Sequence, residues 1–311
     1  MTRAPQPVLF FDRLVPDGFD DLVAGRATVV GPDDADLALA DGVIAGSRRW
    51  DAAAMDLGPR LRVISRSGVG YDTVDVAAAT ARGITVCYAP DAPTVSTAEH
   101  SIALILAVTK DIPGWAARAE SAGIGAVPGI ELDGRTLGLF GYGRIARRVA
   151  VVARALGMQV IAHDPYVEAI PAADGVSLVD AEQLWRQSDI VSLHAPATPS
   201  TRHVVNVATL ALLPAGAFLV NCARGSLVDH DALVEALDRR HLAGAALDVT
   251  EPEPLPLDHP LRHDPRVILT PHIASHTVVG RRRLYADAID NALAVLDGRP
   301  GSIVPEQCEG R

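Results

Sequence analysis

Three ionisable residues follow short apolar runs in the second half of the chain. Arg224 lies in Val220-Asn-Cys-Ala-Arg-Gly225, Glu253 in Asp248-Val-Thr-Glu-Pro-Glu-Pro254, and His272 in Leu269-Thr-Pro-His-Ile273. The runs read as parallel strands, and in a doubly wound sheet the carboxyl ends of the strands face the ligand crevice. A guanidinium offers a fork of donors to a carboxylate and to a ketone oxygen that gains charge as hydride arrives. An imidazole, with a solution pKa near ~6.5, can deliver a proton as the alkoxide forms and take it back in the reverse direction. A neighbouring carboxylate favours its charged form. Alone, His272 would read as a packed core histidine; grouped with an acid and an arginine, it suits the reduction of a 2-oxo acid.

The hydride would come from a dinucleotide, and a second pattern offers a place for one. The strand Thr136–Phe140 runs into Gly141-Tyr-Gly143-Arg-Ile-Ala146, followed by a helical pattern from Arg147 to Leu156. Gly141 permits the tight turn, Gly143 lets the backbone approach a pyrophosphate, and Ala146 serves helix–strand packing. Arg144 and Ile145 open the helix, whose N-terminus favours negative charge. Asp164 closes the next strand, roughly 20 residues on, where a carboxylate can accept from the adenosine ribose hydroxyls. It would repel a 2′-phosphate, and Pro165-Tyr166 supplies no cation beside it. NAD rather than NADP is expected, and no metal.

Strands are expected at Val8–Phe11, Ala27–Val30, Gly42–Ala45, Leu61–Ser65 and Ile84–Cys87. A second series is expected at Thr136–Phe140, Gln159–His163, Ile190–His194, Ala217–Asn221, Gly244–Asp248 and Val267–Leu269. Helical segments separate them, which signals βαβ units on parallel sheets. Pro90-Asp91-Ala92-Pro93 interrupts the pattern before a helix from Thr94 to Val108. Its expected cap is Ser96 or Thr97, with Glu99 completing a capping box on Ser96. An irregular stretch, Ala122 to Gly129, precedes the second series, and a last helix from about Thr277 to Leu296 carries the chain back. The fold class is α/β, with two doubly wound parallel-sheet domains. A Rossmann NAD-binding domain, residues 97–280, is inserted into a flavodoxin-like substrate domain, residues 1–96 and 281–311. A cleft between two such lobes is where a ligand is expected.

Composition removes other classes. Lys110 is the single lysine among 311 residues. It is not followed by Ser or Thr, so a Walker-type phosphate loop is absent. It ends an apolar helical stretch and reads as a solvated tip, which sets Schiff-base chemistry aside. Cys87, Cys222 and Cys308 are too scattered for a disulfide framework or zinc site, so reduced thiols and a cytoplasmic location are expected. Cys222 reads as a small buried filler. The net charge of −10 argues against a grip on nucleic acid. Neither a signal peptide nor an apolar run of membrane-spanning length is evident. Arg281-Arg-Arg283 reads as a solvated face.

The sequence resembles the D-isomer-specific 2-hydroxyacid dehydrogenase family, which includes phosphoglycerate dehydrogenases and hydroxypyruvate/glyoxylate reductases. Six segments carry the resemblance: Ser67 to Asp75, Ser96-Thr-Ala-Glu-His100, Gly138 to Ala146, Asn221 to Asp229, Leu242 to Val249, and Leu269 to Ile273. The resemblance implies that Arg224, Glu253 and His272 are the catalytic set. Its spacing selects Glu253 over Glu251. It further implies that Val69 and Gly70 present backbone N–H groups to the substrate carboxylate. His194 and Ala195 of the His-Ala-Pro turn, Cys222 and Asp248 would border the cofactor, with Asp248 near the carboxamide. A homodimer with the helix from Ser96 in its interface is also implied.

The sequence departs from the family in the Tyr88–Pro93 loop, where an Asn-x-Pro and a Gly-Asn pair are usual, and before Leu132, where Gly-x-Trp is common. Neither a regulatory domain after Arg311 nor feedback control by serine is expected. Arg66, just before the Gly-Val-Gly loop, could hold a second anionic group on the substrate or serve as a surface ion-pair partner. The expected activity is NAD-dependent interconversion of a 2-oxo acid and a D-2-hydroxy acid, mainly as a reductase. A D-3-phosphoglycerate dehydrogenase without a regulatory domain is the nearest rival. An NAD(H)-sensing, corepressor-like interaction protein is the rival from another class.

Overall fold

The computed structural model describes residues 6–13, 17–119 and 129–308. The chain divides into two compact units: Met1–Pro93 with His276–Arg311, and Thr94–Ser275. The changeovers therefore fall at Pro93–Thr94 and Ser275–His276, whereas the sequence reading placed them after residues 96 and 280.

The first unit is built on five parallel strands: β1 (Val8–Phe11), β2 (Thr28–Val30), β3 (Gly42–Ala45), β4 (Val63–Arg66) and β5 (Thr85–Cys87). Their order is β2-β1-β3-β4-β5, which reverses between β1 and β3 as in the flavodoxin-like arrangement. The central strands are buried on both faces, as near-continuous apolar runs must be. The Val278–Leu296 helix covers one face. Ala288, Ile289, Ala292 and Leu293 pack there with Leu9, Phe11, Ile44 and Val63. Thr277 caps this helix by accepting from Gly280 N at 2.9 Å. Its arginine row is less solvated than the charge run suggests. Arg282 pairs with Asp21 and lies over the Phe19 ring, and Arg283 Nε is buried.

The second unit carries seven parallel strands: β6 (Thr136–Phe140), β7 (Gln159–His163), β8 (Val176–Leu178), β9 (Ile190–Leu193), β10 (Ala217–Asn221), β11 (Leu242–Leu247) and β12 (Val267–Leu269). The order β12-β11-β10-β9-β6-β7-β8 reverses between β6 and β9, the Rossmann arrangement. One core lies under the Arg144–Ala155 helix, with Leu137, Leu139, Ala146, Val149 and Ala153. The other holds Leu184, Trp185, Leu193, Leu219, Leu233 and Leu247. β8 was not anticipated. It has three residues, two of them exposed, so no apolar run marks it.

The Thr94–Thr109 helix begins directly after Pro93, which corrects the expected cap. Ser96 and Thr97 lie inside its first turn and are buried there, so the Ser96–Glu99 capping box is not the start signal. Lys110 is also corrected: its Nζ donates to Ile130 O at 2.6 Å and ties down the chain beyond the helix. The irregular stretch expected at Ala122 to Gly129 lies, apart from Gly129, outside the described residues. Among the described residues, no helix is long and apolar enough to cross a membrane.

Candidate active site and dinucleotide cradle

In the second unit the ends of β10, β11 and β12 are wired to one another. Asn221, the last residue of β10 and fully buried, accepts from Ala223 N at 2.9 Å through Oδ1. Its Nδ2 donates to Arg224 O at 2.8 Å. This pins the short loop that carries Arg224. Asp248 N donates to Asn221 O, and His272 N donates to Asp248 O at 2.8 Å. The backbones bearing Arg224 and His272 are thus both registered to buried strand ends, which favours a fixed geometry for the groups they carry.

His272 Nδ1 lies 2.7 Å from Glu253 Oε1. A carboxylate accepts only, so Nδ1 carries the proton in this pair and Nε2 is left to face a reacting group. Both side chains are close to half exposed, where an ion pair adds little to stability. The arrangement therefore reads as chemical rather than structural. His272 also sits at φ +54°, in the left-handed region that residues with a Cβ rarely adopt. Strain of this kind concentrates at functional sites.

The loop bearing Glu253 is braced from several sides. His230 Nδ1 donates to Glu251 O at 3.0 Å, and Thr250 Oγ1 donates to Pro252 O at 2.8 Å. Arg202 holds the Glu251 carboxylate at 3.0 Å. Glu251 is thereby spent on the loop, while Glu253 meets the imidazole. Arg224 is partly buried, and its Nη1 donates to Ala223 O at 2.7 Å. The structure brings Glu253 and His272 into contact and places Arg224 on the neighbouring strand end.

The residues expected to hold the dinucleotide fit it. Gly141 has φ +91°, and a Cβ there would meet Ala195 N and His194 C at 2.8 Å. Only glycine allows that turn to pass so close to the His194-Ala195 backbone. At Gly143 a Cβ would meet nothing within 4 Å: the space beside the helix start is open. Gly143 is the N-cap of the Arg144–Ala155 helix, and no side chain caps it. Such a terminus suits a pyrophosphate. Arg144 is exposed and Ile145 half-buried in its first turn, with Ile145 packed on the core. Asp164 accepts from Tyr142 N at 2.8 Å through Oδ2 and from Tyr166 N at 2.9 Å through Oδ1. Each oxygen retains acceptor capacity for a ribose hydroxyl.

The remaining expected residues lie in the same unit. His194 is intermediate in exposure, with Nε2 2.9 Å from Ser192 Oγ. Burial lowers its pKa to about 4, so the ring is neutral at pH 7. Burial pushes the Cys222 thiol up to about 12, as expected of a packing residue and not of a nucleophile. For Asp248, burial alone would raise the pKa. Hydrogen bonds from His100, Thr270, Ile273 and Ala274 outweigh it and hold the carboxyl below the usual range. His100 and Thr270 were missed by the sequence reading. Their only signal was that each stands inside a family-like segment.

In the first unit two guanidinium nitrogens of Arg66 are held by backbone carbonyls. Its Nε donates to Gly70 O and its Nη1 to Ala45 O, each at 2.9 Å, so it shapes the loop of Ser67 to Gly70. No hydrogen bond from the N–H of Val69 or Gly70 occurs among the described residues, and Val69 is 39% exposed. Adjacent unpaired N–H groups of this kind suit a carboxylate.

Residues 102–274 match the model of the D-isomer specific 2-hydroxyacid dehydrogenase, NAD binding domain. The chain belongs to this family. It is 42% identical to the D-3-phosphoglycerate dehydrogenase of Methanocaldococcus jannaschii over 243 residues, covering 77% of this chain and 46% of that protein. It is 40% identical to the glyoxylate reductase of Thermofilum pendens over 269 residues, covering 83% and 78%. The structure of D-lactate dehydrogenase from Aquifex aeolicus complexed with NAD and lactic acid superposes with a TM-score of 0.85 at 28% identity, covering 98% of both chains. The chain spans about half the length of the phosphoglycerate dehydrogenases it matches.

Proposed function

We propose that this chain is an NAD-dependent dehydrogenase that interconverts a 2-oxo acid and a D-2-hydroxy acid. The observation that carries the reading is the 2.7 Å contact between His272 Nδ1 and Glu253 Oε1, on a family member whose dinucleotide cradle is intact. A bound dinucleotide would supply the hydride as NADH and accept it as NAD+. Arg224 binds the substrate carboxylate and stabilises charge gathering on the keto oxygen. His272 delivers a proton from Nε2 to that oxygen as it becomes an alkoxide, and takes it back during oxidation. Glu253 fixes the Nδ1–H tautomer and the orientation of the ring. Val69 and Gly70 offer N–H groups to the substrate carboxylate, and Arg66 acts through the loop that presents them. Asp164 reads the adenosine ribose and disfavours a 2′-phosphate.

The working direction is reduction, in the cytoplasm. The assembly is a homodimer, for which Ile112 (55% exposed) and the partly exposed Ile102 and Leu106 offer apolar surface. Light scattering tests the assembly. A phosphoglycerate dehydrogenase is the second reading, favoured by the 42% identity to one. The deciding experiment is NADH consumption with glyoxylate, hydroxypyruvate, 2-oxoglutarate, oxaloacetate and phosphohydroxypyruvate. Turnover with at least one 2-oxo acid is expected. NADH binding without turnover on the whole panel would instead identify a sensor.

A further inference from the structure

The Thr250–Pro254 loop must hold the Glu253 carboxylate against His272, yet it has few means of its own. Pro252 and Pro254 carry no N–H with which to anchor it. Among the described residues its backbone accepts two hydrogen bonds. One, at Pro252 O, comes from the loop's own Thr250 hydroxyl at 2.8 Å. The other comes from a different element: His230 Nδ1 donates to Glu251 O at 3.0 Å. His230 is the first residue of the His230–Asp238 helix, which Asp229 caps and which the fully buried Leu233 and Leu237 root in the core. It is 8% exposed, and its ring stands nearly perpendicular to that of His259, with centroids 6.0 Å apart. Gly225, the residue after Arg224, presses on the same loop. A Cβ there would meet Thr250 C at 2.0 Å and Glu251 N at 2.6 Å.

Packing alone does not explain an imidazole at this place. Its Nε2 is buried with no hydrogen-bond partner among the described residues, a cost in stability that an apolar side chain of similar size would not carry. Burial lowers the pKa of His230 from 6.5, so the ring is neutral at pH 7. A carbonyl accepts only, so the single ring proton sits on Nδ1. We infer that His230 is a positioning residue for Glu253: its Nδ1–H fixes Glu251 O, and with it the direction in which the carboxylate two residues on meets His272 Nδ1. This rests on the proposed dehydrogenase reading, in which His272 transfers the proton. Without the tether the loop keeps its Arg202–Glu251 pair, whose partners are both about half exposed and hold it only weakly. The Glu253 carboxylate then samples positions out of reach of the imidazole, and small misplacements of catalytic groups are costly in rate.

His230→Phe keeps a ring and loses the donor, whereas the amide of His230→Asn can still reach the Glu251 carbonyl. Steady-state kinetics of each, in the parent and in a Glu253→Gln background, test the inference. His230→Phe is expected to lower kcat about tenfold in the parent. In Glu253→Gln, where no carboxylate is left to aim, the same change should alter kcat less than twofold. His230→Asn should stay within threefold of the parent. The Kd for NADH, by fluorescence titration, should move less than threefold throughout. Equal fold losses in both backgrounds would make His230 a structural member of the helix start and overturn the inference. So would an unchanged kcat in His230→Phe, or equal losses in the Phe and Asn variants. If His230→Phe does not fold, His230→Leu repeats the comparison. The ring nitrogens give a readout without variants of activity: 15N shifts of His230, assigned by their absence from His230→Asn, should show a neutral ring with its proton on Nδ1 at pH 7. A proton on Nε2 would overturn the inference. If the parent chain turns over no 2-oxo acid, the dehydrogenase reading fails, and the nitrogen shifts still report whether His230 holds the loop.

Discussion

His272 and Glu253 share solvent and a short contact, and what each contributes can be separated by changes that keep shape. Replacing Glu253 with Gln preserves volume but lets the amide either donate or accept. The ring then loses its preference for a proton on Nδ1 and its fixed orientation. We expect kcat to fall about a hundredfold in Glu253→Gln, in line with the worth of a positioned acid, with NADH affinity unchanged by fluorescence titration. Arg224→Gln removes the cation proposed to stabilise the developing alkoxide. Turnover should drop by about 10²–10³ while NADH binds as before. Equal losses of turnover and binding would make the arginine a structural member of the loop that Asn221 pins. Asp164→Ala belongs with these. With the ribose acceptor and its repulsion gone, the ratio of kcat/KM for NADH over NADPH should shrink at least tenfold. An unchanged ratio would refute the ribose assignment.

At the level of elements, the β6 turn and the helix after it make a sharper demand than any single side chain. Gly141 and Gly143 look alike in the sequence, yet the structure separates them. At Gly141 a Cβ strikes backbone atoms of His194 and Ala195 at a positive φ, whereas at Gly143 it meets nothing within 4 Å. Gly143→Ala should therefore keep folded stability within about 1 kcal/mol and still weaken NADH binding, because the methyl enters the space a pyrophosphate needs. Gly141→Ala should lose stability and binding together, read by urea unfolding alongside fluorescence titration. The glycine spacing and the following strand and helix were legible because each is a local pattern. β8 was not, since its Val-Ser-Leu edge carries no apolar run and its pairing with β7 is set by tertiary register. The cap at Ser96 was misread for a related reason. Serine and threonine cap a helix only where their own backbone lies outside it, and here both fall inside the first turn. His100 and Thr270 could not be read as partners of Asp248 at all. They come from a helix and a strand end far apart in sequence, and their meeting follows from the sheet order.

At the scale of the whole molecule, a net charge of −10 favours solubility but leaves stability to groups whose titration differs between folded and unfolded chain. His194 is the clearest of them. Its pKa falls from 6.5 to about 4 because burial disfavours the charged ring. The unfolded chain takes up this proton near 6.5 and the folded chain only near 4, so between those values the unfolded state binds more protons. The contribution of the neutral ring is fully present above about 6.5 and is lost as pH falls through the window to 4. Because the residue keeps some contact with solvent, the loss is on the order of 2 kcal/mol, below the full value of the shift. The carboxylates with lowered pKa, Asp248 and Asp264 among them, act at lower pH, but burial also lowers the pKa of His230, so it is the difference between the parent and a His194 variant that isolates His194. Urea unfolding of the parent and of His194→Gln at pH 7, 6 and 5 measures it. The parent should lose stability faster than the Gln variant between pH 6.5 and 5, and parallel curves would show that the ring is not held neutral by the fold.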